Sequence, residues 1–388
     1  MTVIPQKSNP KNWYIAGAVA ALALLFAIGM FISGELGSFV LASIQTLPFM
    51  LLAVLAYVGV RYTWGKVLTL VWLGLLVAST GLVVLVLSFA ALGNLVGATP
   101  GDFSGFNSGD GARLLAIAVL GFVAIAIGAL GFIPAVRRSL ARFLPIDPNS
   151  FVHMVALVAV VALTLLCFLP LLILAEPPFL TLFNNATEQG VNLTEGQDEA
   201  AQLRSTVYGL VWTVPGTILA VGYGVQRKLR PALERLGLVR PTLKQVLLGI
   251  ATAVVLVGAV QVLGHGINWL WEAMGWPATD GEAFGELMAF AFNPLGAVVI
   301  GITAGLGEEL AVRGVLQPRL GILLSNLFFT GLHAFQYNWD SLLVVFLVGL
   351  AMGFLRKRTN TTTSAIAHGV YDFLLIMAFV LEIPGFTE

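Results

Sequence analysis

The chain is poor in charge: only 10% of its 388 residues are Asp, Glu, Lys or Arg, against about 25% in soluble globular proteins. With 58% hydrophobic residues there is too little polar surface to cover a water-soluble globule, so that class is excluded. Cysteine is nearly absent. Cys167 stands alone in an apolar run, which excludes an intrachain disulfide. Histidine is scarce too, at four residues. Net charge is zero and no basic cluster is interleaved with aromatics, so nucleic acid is not an expected partner. The apolar runs do not alternate every second residue, which excludes a transmembrane β-barrel. No internal repeat is visible, and HExxH, the strongest local zinc-peptidase signal, does not occur.

What the chain has in abundance is long apolar runs, with mean hydropathy +0.92. A run of roughly 18 or more apolar residues is long enough to cross a membrane as a helix. Within hydrocarbon every backbone N–H and C=O must be paired internally, and a helix does this alone. The expected fold class is all-α, a polytopic integral membrane helix bundle of about eleven transmembrane helices. Candidate spans are about 13–33, 39–60, 67–92, 114–136, 151–175, 205–226, 245–270, 287–307, 320–336, 341–355 and 364–383. The ninth and tenth are short for a hydrocarbon core of about 30 Å and are read as tilted, broken or shielded by neighbours. Lys7 and Lys11 precede an apolar stretch from Trp13 to Ser33 with no small-residue cleavage site, so the first span is expected to be retained.

Placing the N-terminus in the cytoplasm sorts the charges between alternate loops. Arg61, Lys66, Arg137, Arg138, Arg142, the run Arg227 to Lys244, Arg313, Arg319 and the cluster Arg356 to Arg358 then fall on the cytoplasmic side. Only Arg113 and Arg204 fall opposite, where most acidic residues collect. This pattern suits a multi-pass protein of the cell (cytoplasmic) membrane. Segment 227–244, punctuated by Pro231 and Pro241, reads as a basic cytoplasmic linker lying near anionic lipid. It divides an N-terminal membrane bundle (1–226), of about six spans and no assigned function, from a C-terminal bundle (245–388). The loop 176–204 is polar and expected outside the cytoplasm, with Asn-x-Thr sequons at Asn185 and Asn192.

Ionisable residues at membrane depth are costly and therefore candidates for function. Here they cluster in the C-terminal quarter: Glu308, Glu309 and Arg313 in GEELAVRG, His333 in FFTGLHAF, and His368 and Asp372 in AHGVYDF. Glu309 and Arg313 are four apart, on one helix face, and are expected to form a structural ion pair. Glu308 is rotated by about 100° from Glu309 and cannot share that arginine as well, which frees it for general base work on a water. His368 and Asp372 again share a face, where a carboxylate can fix the imidazole's tautomer. Phe329, four residues before His333, is placed to pack beside it. Two chemistries fit these groups. Glu308 with His333 activates a water while His368 and Asp372 stabilise an oxyanion, or His333, His368 and Glu308 hold Zn²⁺, which lowers the pKa of a bound water to about 7. Taken singly, each motif also has a bland reading: a helix-end ion pair, a helix–helix hydrogen bond, a local His–Asp pair. Ser325 and Asn326 are expected to bond between helices, and His153 and His265 to be interfacial or structural.

The ordered set Glu308-Glu309-x-x-x-Arg313, Phe329-x-x-x-His333 and His368-x-x-x-Asp372 resembles the CPBP family of CaaX prenyl protease and bacteriocin-processing-like (ABI) intramembrane peptidases. The resemblance covers about residues 287–385. It implies hydrolysis of a peptide bond in a membrane-associated substrate, with or without a prenyl group, at the cytoplasmic side. It also implies that Glu308 and His333 activate water and that His368 and Asp372 form the oxyanion site, by a glutamate-based or a metal-dependent mechanism. Asp372 stands where the eukaryotic prenyl endopeptidases have Asn, and an ionised Asp would repel an oxyanion. Asp372 is accordingly read as orienting His368 or serving a metal. Two other classes fit the same buried cluster. One is a proton- or ion-coupled transporter, although paired interrupted helices in corresponding halves are not seen. The other is a non-catalytic membrane scaffold or immunity protein.

Overall fold

The computed structural model describes residues 31–92, 106–188 and 198–385. Residues 13–30 of the expected first span and the sequon at Asn192 lie outside them. Among the described residues the only strand-like feature is a bridge between Tyr223 and Arg227, and the rest is helix and connection. Helix α1 (Glu35–Leu41) passes through a single 3-10 turn into α2 (Leu47–Arg61), with a bend of 53° where Pro48 opens the second helix. Then follow α3 (Thr63–Leu92), α4 (Ser108–Ala129), α5 (Pro134–Leu140), α6 (Phe151–Leu174), α7 (Pro178–Glu188), α8 (Glu199–Ala220) and α9 (Leu229–Leu236). The C-terminal part holds α10 (Leu243–Met274), α11 (Gly281–Leu287), α12 (Pro294–Glu309), a π-helical segment (Leu310–Leu316), α13 (Gln317–Leu332), α14 (Trp339–Arg358) and α15 (Thr361–Val380).

Seven of the described helices are long and apolar enough to cross a membrane, or eight if the bent α1–α2 pair is one span. The fold is the expected all-α polytopic bundle. The described residues hold fewer than the eleven expected spans, and three observations account for the difference. The first expected span is outside the described residues. Helix α8 fills the sixth position, but Arg204, Thr206, Thr213 and Thr217 make it too polar to join the set. The eighth and ninth spans run on as one helical stretch, Pro294–Leu332, whose 39 residues are about twice what one crossing needs. That stretch is broken only at Gly321, whose φ of 80° is a left-handed value that favours glycine.

Helix α6 is apolar all round and runs through the interior, because such a helix has no polar face to offer water. Leu157, Leu163 and Leu166 pack against Leu73 and Val84 of α3, Ile117 of α4, and Leu320 and Phe328 of α13. Helix α10 is also long and apolar but lies outside, exposing Val255, Val262 and Trp269, as a lipid-facing helix would. Trp271 and Trp276 meet edge to face near its end, at 5.1 Å between ring centroids. Helix α8 packs on α12 and α2, and α6 packs on α13. Helices from both sides of residues 227–244 therefore share one packed interior. Within that segment α9 ends at Gly237 (φ 72°) and is tied to the start of α15, where Thr361 Oγ1 donates to Leu236 O at 2.6 Å. In the 176–204 loop, α7 carries Asn185, whose side-chain amide donates to Ala91 O at 3.1 Å.

Helices α12 and α15 cross in close contact. A Cβ on Gly305 would lie 2.5 Å from Gly369 N, and one on Gly301 would lie 2.6 Å from Gly369 O. With glycine at all three positions the two backbones touch, as small residues allow in membrane helix pairs. This contact sets the end of α12 against the first half of α15, where the ionisable residues lie.

Candidate active site

Glu309 closes α12 and its side chain is fully buried. Arg313 Nη1 lies 3.2 Å from Glu309 Oε1, so the ion pair expected from the spacing is formed. It is a charge contact rather than a well-aligned hydrogen bond, since Nη1 has no hydrogen-bond partner. The other arm of the guanidinium is bonded: Nη2 donates to Gly349 O of α14 at 2.8 Å and to Asn326 Oδ1 at 3.4 Å. Its plane lies over the Phe329 ring, 4.8 Å from the centroid. Arg313 sits in the π-helical segment, a local widening of the helix that recurs at functional sites. A side chain on residue 349 would run into Asn326 and come within 3.1 Å of Arg313 Nη2, which is why glycine stands there.

Glu309 collects two further partners from α15. Ser364 Oγ donates to Oε2 at 2.5 Å, and His368 Nδ1 lies 3.0 Å from Oε1. Opposite a carboxylate Nδ1 carries the proton, which fixes the ring and turns Nε2 the other way. There Nε2 is 3.8 Å from Glu308 Oε2 and 3.6 Å from Asp372 Oδ2. The orienting carboxylate for His368 is thus Glu309, from another helix, whereas spacing along α15 pointed to Asp372. Asp372 faces the second nitrogen beyond hydrogen-bond length. Glu308 is the open member of the pair, with a side chain 38% exposed against 0% for Glu309.

His333 caps α13. Its Nδ1–H donates to Phe329 O at 2.9 Å, because a carbonyl only accepts, so the lone pair of the neutral ring is on Nε2. Phe329 packs beside it edge to face, at 4.7 Å between centroids, and also meets His368 edge to face at 6.3 Å. Phe329 thus links the two histidines. Tyr337 stacks on the other side of His333, 6.0 Å away and within 3° of parallel. Removal from water pushes the Tyr337 phenol up from its ordinary range, and the nearby Asp372 and Glu308 carboxylates push it further. The turn that carries it is pinned: Phe179 N donates to Phe335 O at 2.9 Å, and Asn338 Nδ2 to Ala175 O at 3.0 Å.

The sequence reading missed Tyr337, Ser364 and Gly349. Tyr337 had a signal, four residues after His333 as Phe329 is four before. Ser364 had none, since its partner is 55 positions away. Asn326 bonds between helices as expected, donating to Phe346 O at 2.8 Å. Ser325 does not: its hydroxyl turns back to Gly321 O at 2.7 Å within its own helix. His153 accepts from Asp147 N at 2.9 Å and His265 bonds to Gln261 O at 2.7 Å, both away from the cluster. Among the described residues no three His, Cys, Asp or Glu side chains are grouped to hold a metal ion. His333, His368 and Glu308 thus do not fit a Zn²⁺ ion as arranged.

Glu308, Glu309, His368 and Asp372 thus meet among the apolar helices of a polytopic bundle, with His333 linked to them through Phe329. Residues 289–374 match the family model of type II CAAX prenyl endopeptidase Rce1-like proteins. The match bears out the resemblance carried by the three motifs and supports a CAAX-type intramembrane endopeptidase. No curated protein and no solved structure matches the chain.

Proposed function

We propose that the chain hydrolyses a peptide bond of a membrane-associated substrate, with Glu308 as the general base. The observation that carries this reading is the division of labour in the glutamate pair. Glu309 is buried and held by Arg313, Ser364 and His368, while Glu308 is half exposed and 3.8 Å from His368 Nε2. A gap of that length is too long for a hydrogen bond, so both groups are free to engage a third atom.

Glu308 takes a proton from the attacking water as its oxygen bonds to the scissile carbonyl carbon, with His333 Nε2 as the second acceptor beside it. His368, protonated at both nitrogens, donates from Nε2 to the oxyanion, and Glu309 stabilises that charge from behind. Glu308 then returns the proton to the leaving amine. Asp372 holds the outer edge of the His368 ring rather than the oxyanion, and the uncharged Tyr337 hydroxyl supplies the donor that an aspartate cannot. The substrate is a membrane-anchored peptide or protein reaching the site from the cytoplasmic side, a reading supported by the basic residues Arg313 and Arg319 that follow Glu308 in the sequence.

The test is cleavage of prenylated and unprenylated membrane-anchored peptides by purified protein, comparing wild type with Glu308→Ala and His333→Ala. Both substitutions are expected to abolish cleavage, and retention of activity in both would overturn the assignment. Activity is expected to survive exhaustive chelation; its loss, restored by added Zn²⁺, would favour the metal-dependent form of the reaction.

A further inference from the structure

At the end of the bundle where residues 221–242 cross from α8 to α10, arginines from separate segments gather around Tyr57. Arg319, on α13, is only 3% exposed. Its Nη2 donates to the Tyr57 hydroxyl at 2.6 Å and to Ala220 O at 3.2 Å, and its Nη1 to Val315 O at 2.5 Å. Arg227 Nη1 reaches the same hydroxyl at 3.2 Å and Val221 O at 2.5 Å. Both guanidinium carbons lie about the Tyr57 ring, at 5.9 and 6.0 Å from its centroid. Arg235, on α9, donates to Gly314 O at 3.2 Å, one turn before Arg319. Arg356, at the end of α14, flanks the group with a buried Nε that has no hydrogen-bond partner.

None of these four arginines forms an ion pair with a carboxylate among the described residues. Carbonyl oxygens satisfy single N–H groups but leave the charge. The C-terminal ends of α8, α9 and α14 among them each offer no more than about half a negative charge, which leaves the four guanidinium ions under-compensated. Burial and the neighbouring Arg319, Arg227 and Arg356 accordingly hold the Arg235 guanidinium down, to about 10. Arg227 and Arg235 are half buried, and their Nε and Nη2 groups donate to no described residue. Buried cations gathered without a counter-charge are strongly destabilising, and free guanidinium forks match the oxygens of a phosphate.

We propose that Arg227, Arg235 and Arg319 form a phosphate-binding site, filled by the headgroup of an anionic lipid or by soluble phosphate. The site is independent of the peptidase reading: it uses none of the residues assigned to hydrolysis. It would tie α8, α9 and α13 to one bound group at the end of the bundle, close in sequence to Arg313.

The full-length protein is compared in nanodiscs of phosphatidylcholine alone and with phosphatidylglycerol added. Thermal unfolding and retained lipid, counted by native mass spectrometry, are the readouts. Phosphatidylglycerol is expected to raise the unfolding midpoint of the wild type, and Arg235→Gln to need about tenfold more of it for the same rise. Arg230→Gln is the control, because Arg230 is exposed on the same helix and already paired with Glu234 at 3.0 Å. It is expected to change the requirement less than twofold. Equal weakening by the two variants would overturn the proposal in favour of diffuse attraction to the basic segment, and so would a wild type indifferent to both lipid and phosphate. In detergent, a midpoint raised by inorganic phosphate in the wild type but not in Arg235→Gln assigns the site to soluble phosphate. A response to phosphatidylglycerol alone assigns it to lipid. If Arg235→Gln does not fold, Arg227→Gln carries the same comparison.

Discussion

His368 of α15 donates from Nδ1 to Oε1 of Glu309 at the end of α12, across 3.0 Å and 59 positions of sequence. The same carboxylate faces Arg313 and accepts from Ser364, so one buried side chain ties together two helices and the π-helical segment. Its neighbour Glu308 takes no part in this and is left open. Two adjacent carboxylates are thereby set in different surroundings, Glu309 buried and bonded and Glu308 open, which is the basis for proposing Glu308 as the reactive member.

That separation predicts opposite phenotypes for the same chemical change. Glu308→Gln is expected to abolish cleavage with an unfolding midpoint within a degree or two of wild type. Glu309→Gln is expected to lower the midpoint as well, because it leaves Arg313 buried without a counter-charge. Thermal unfolding in detergent, run beside a cleavage assay, distinguishes them.

Arg313→Ala removes the cation and leaves Glu309 buried and uncompensated, at a cost of about 3–5 kcal/mol. The expected outcome is low folded yield, measured by size-exclusion recovery. Arg313→Lys is expected to recover little, since the bonds to Gly349 and Asn326 require a guanidinium arm. A fully folded but inactive Arg313→Ala would instead place the arginine in the reaction.

Tyr337→Phe keeps the ring that stacks on His333 and removes only the hydroxyl. If that hydroxyl donates to the oxyanion, kcat is expected to fall by about 10²-fold with little change in KM. An unchanged kcat would confine Tyr337 to packing.

Gly369→Ala adds a methyl group that would sit 2.5 Å from Gly301 O, a backbone atom that cannot step aside. Overpacking of this kind costs about 1–3 kcal/mol. Because it forces α12 and α15 apart, activity is expected to fall before the fold is lost. Gly258→Ala, which has open space around it, serves as the neutral comparison.

Much of this site was legible in the sequence, and the limit was geometric. Spacing along one helix found the Glu309–Arg313 pair and the rotation that frees Glu308, because positions four apart share a face. The same rule gave His368 to Asp372. It could not see Glu309, which reaches His368 only because glycines bring α12 and α15 into backbone contact. Ser364 escaped for the same reason. The fold class was legible from composition, whereas the described spans number fewer than the expected eleven, because α8 carries Arg204 and several threonines and residues 294–332 run on as one helical stretch. The gathering of arginines about Tyr57 was hidden for a related reason: its members are separated by up to 262 positions, and charge counting assigned them only a side of the membrane.

The glycine contact between α12 and α15 also restricts how a substrate can enter. Two helices whose backbones touch, with Glu309 anchored across them, behave as one rigid wall. On the proposed function, a substrate would have to be admitted by motion of the other helices around the site. The wall would stay still while the gate opens elsewhere.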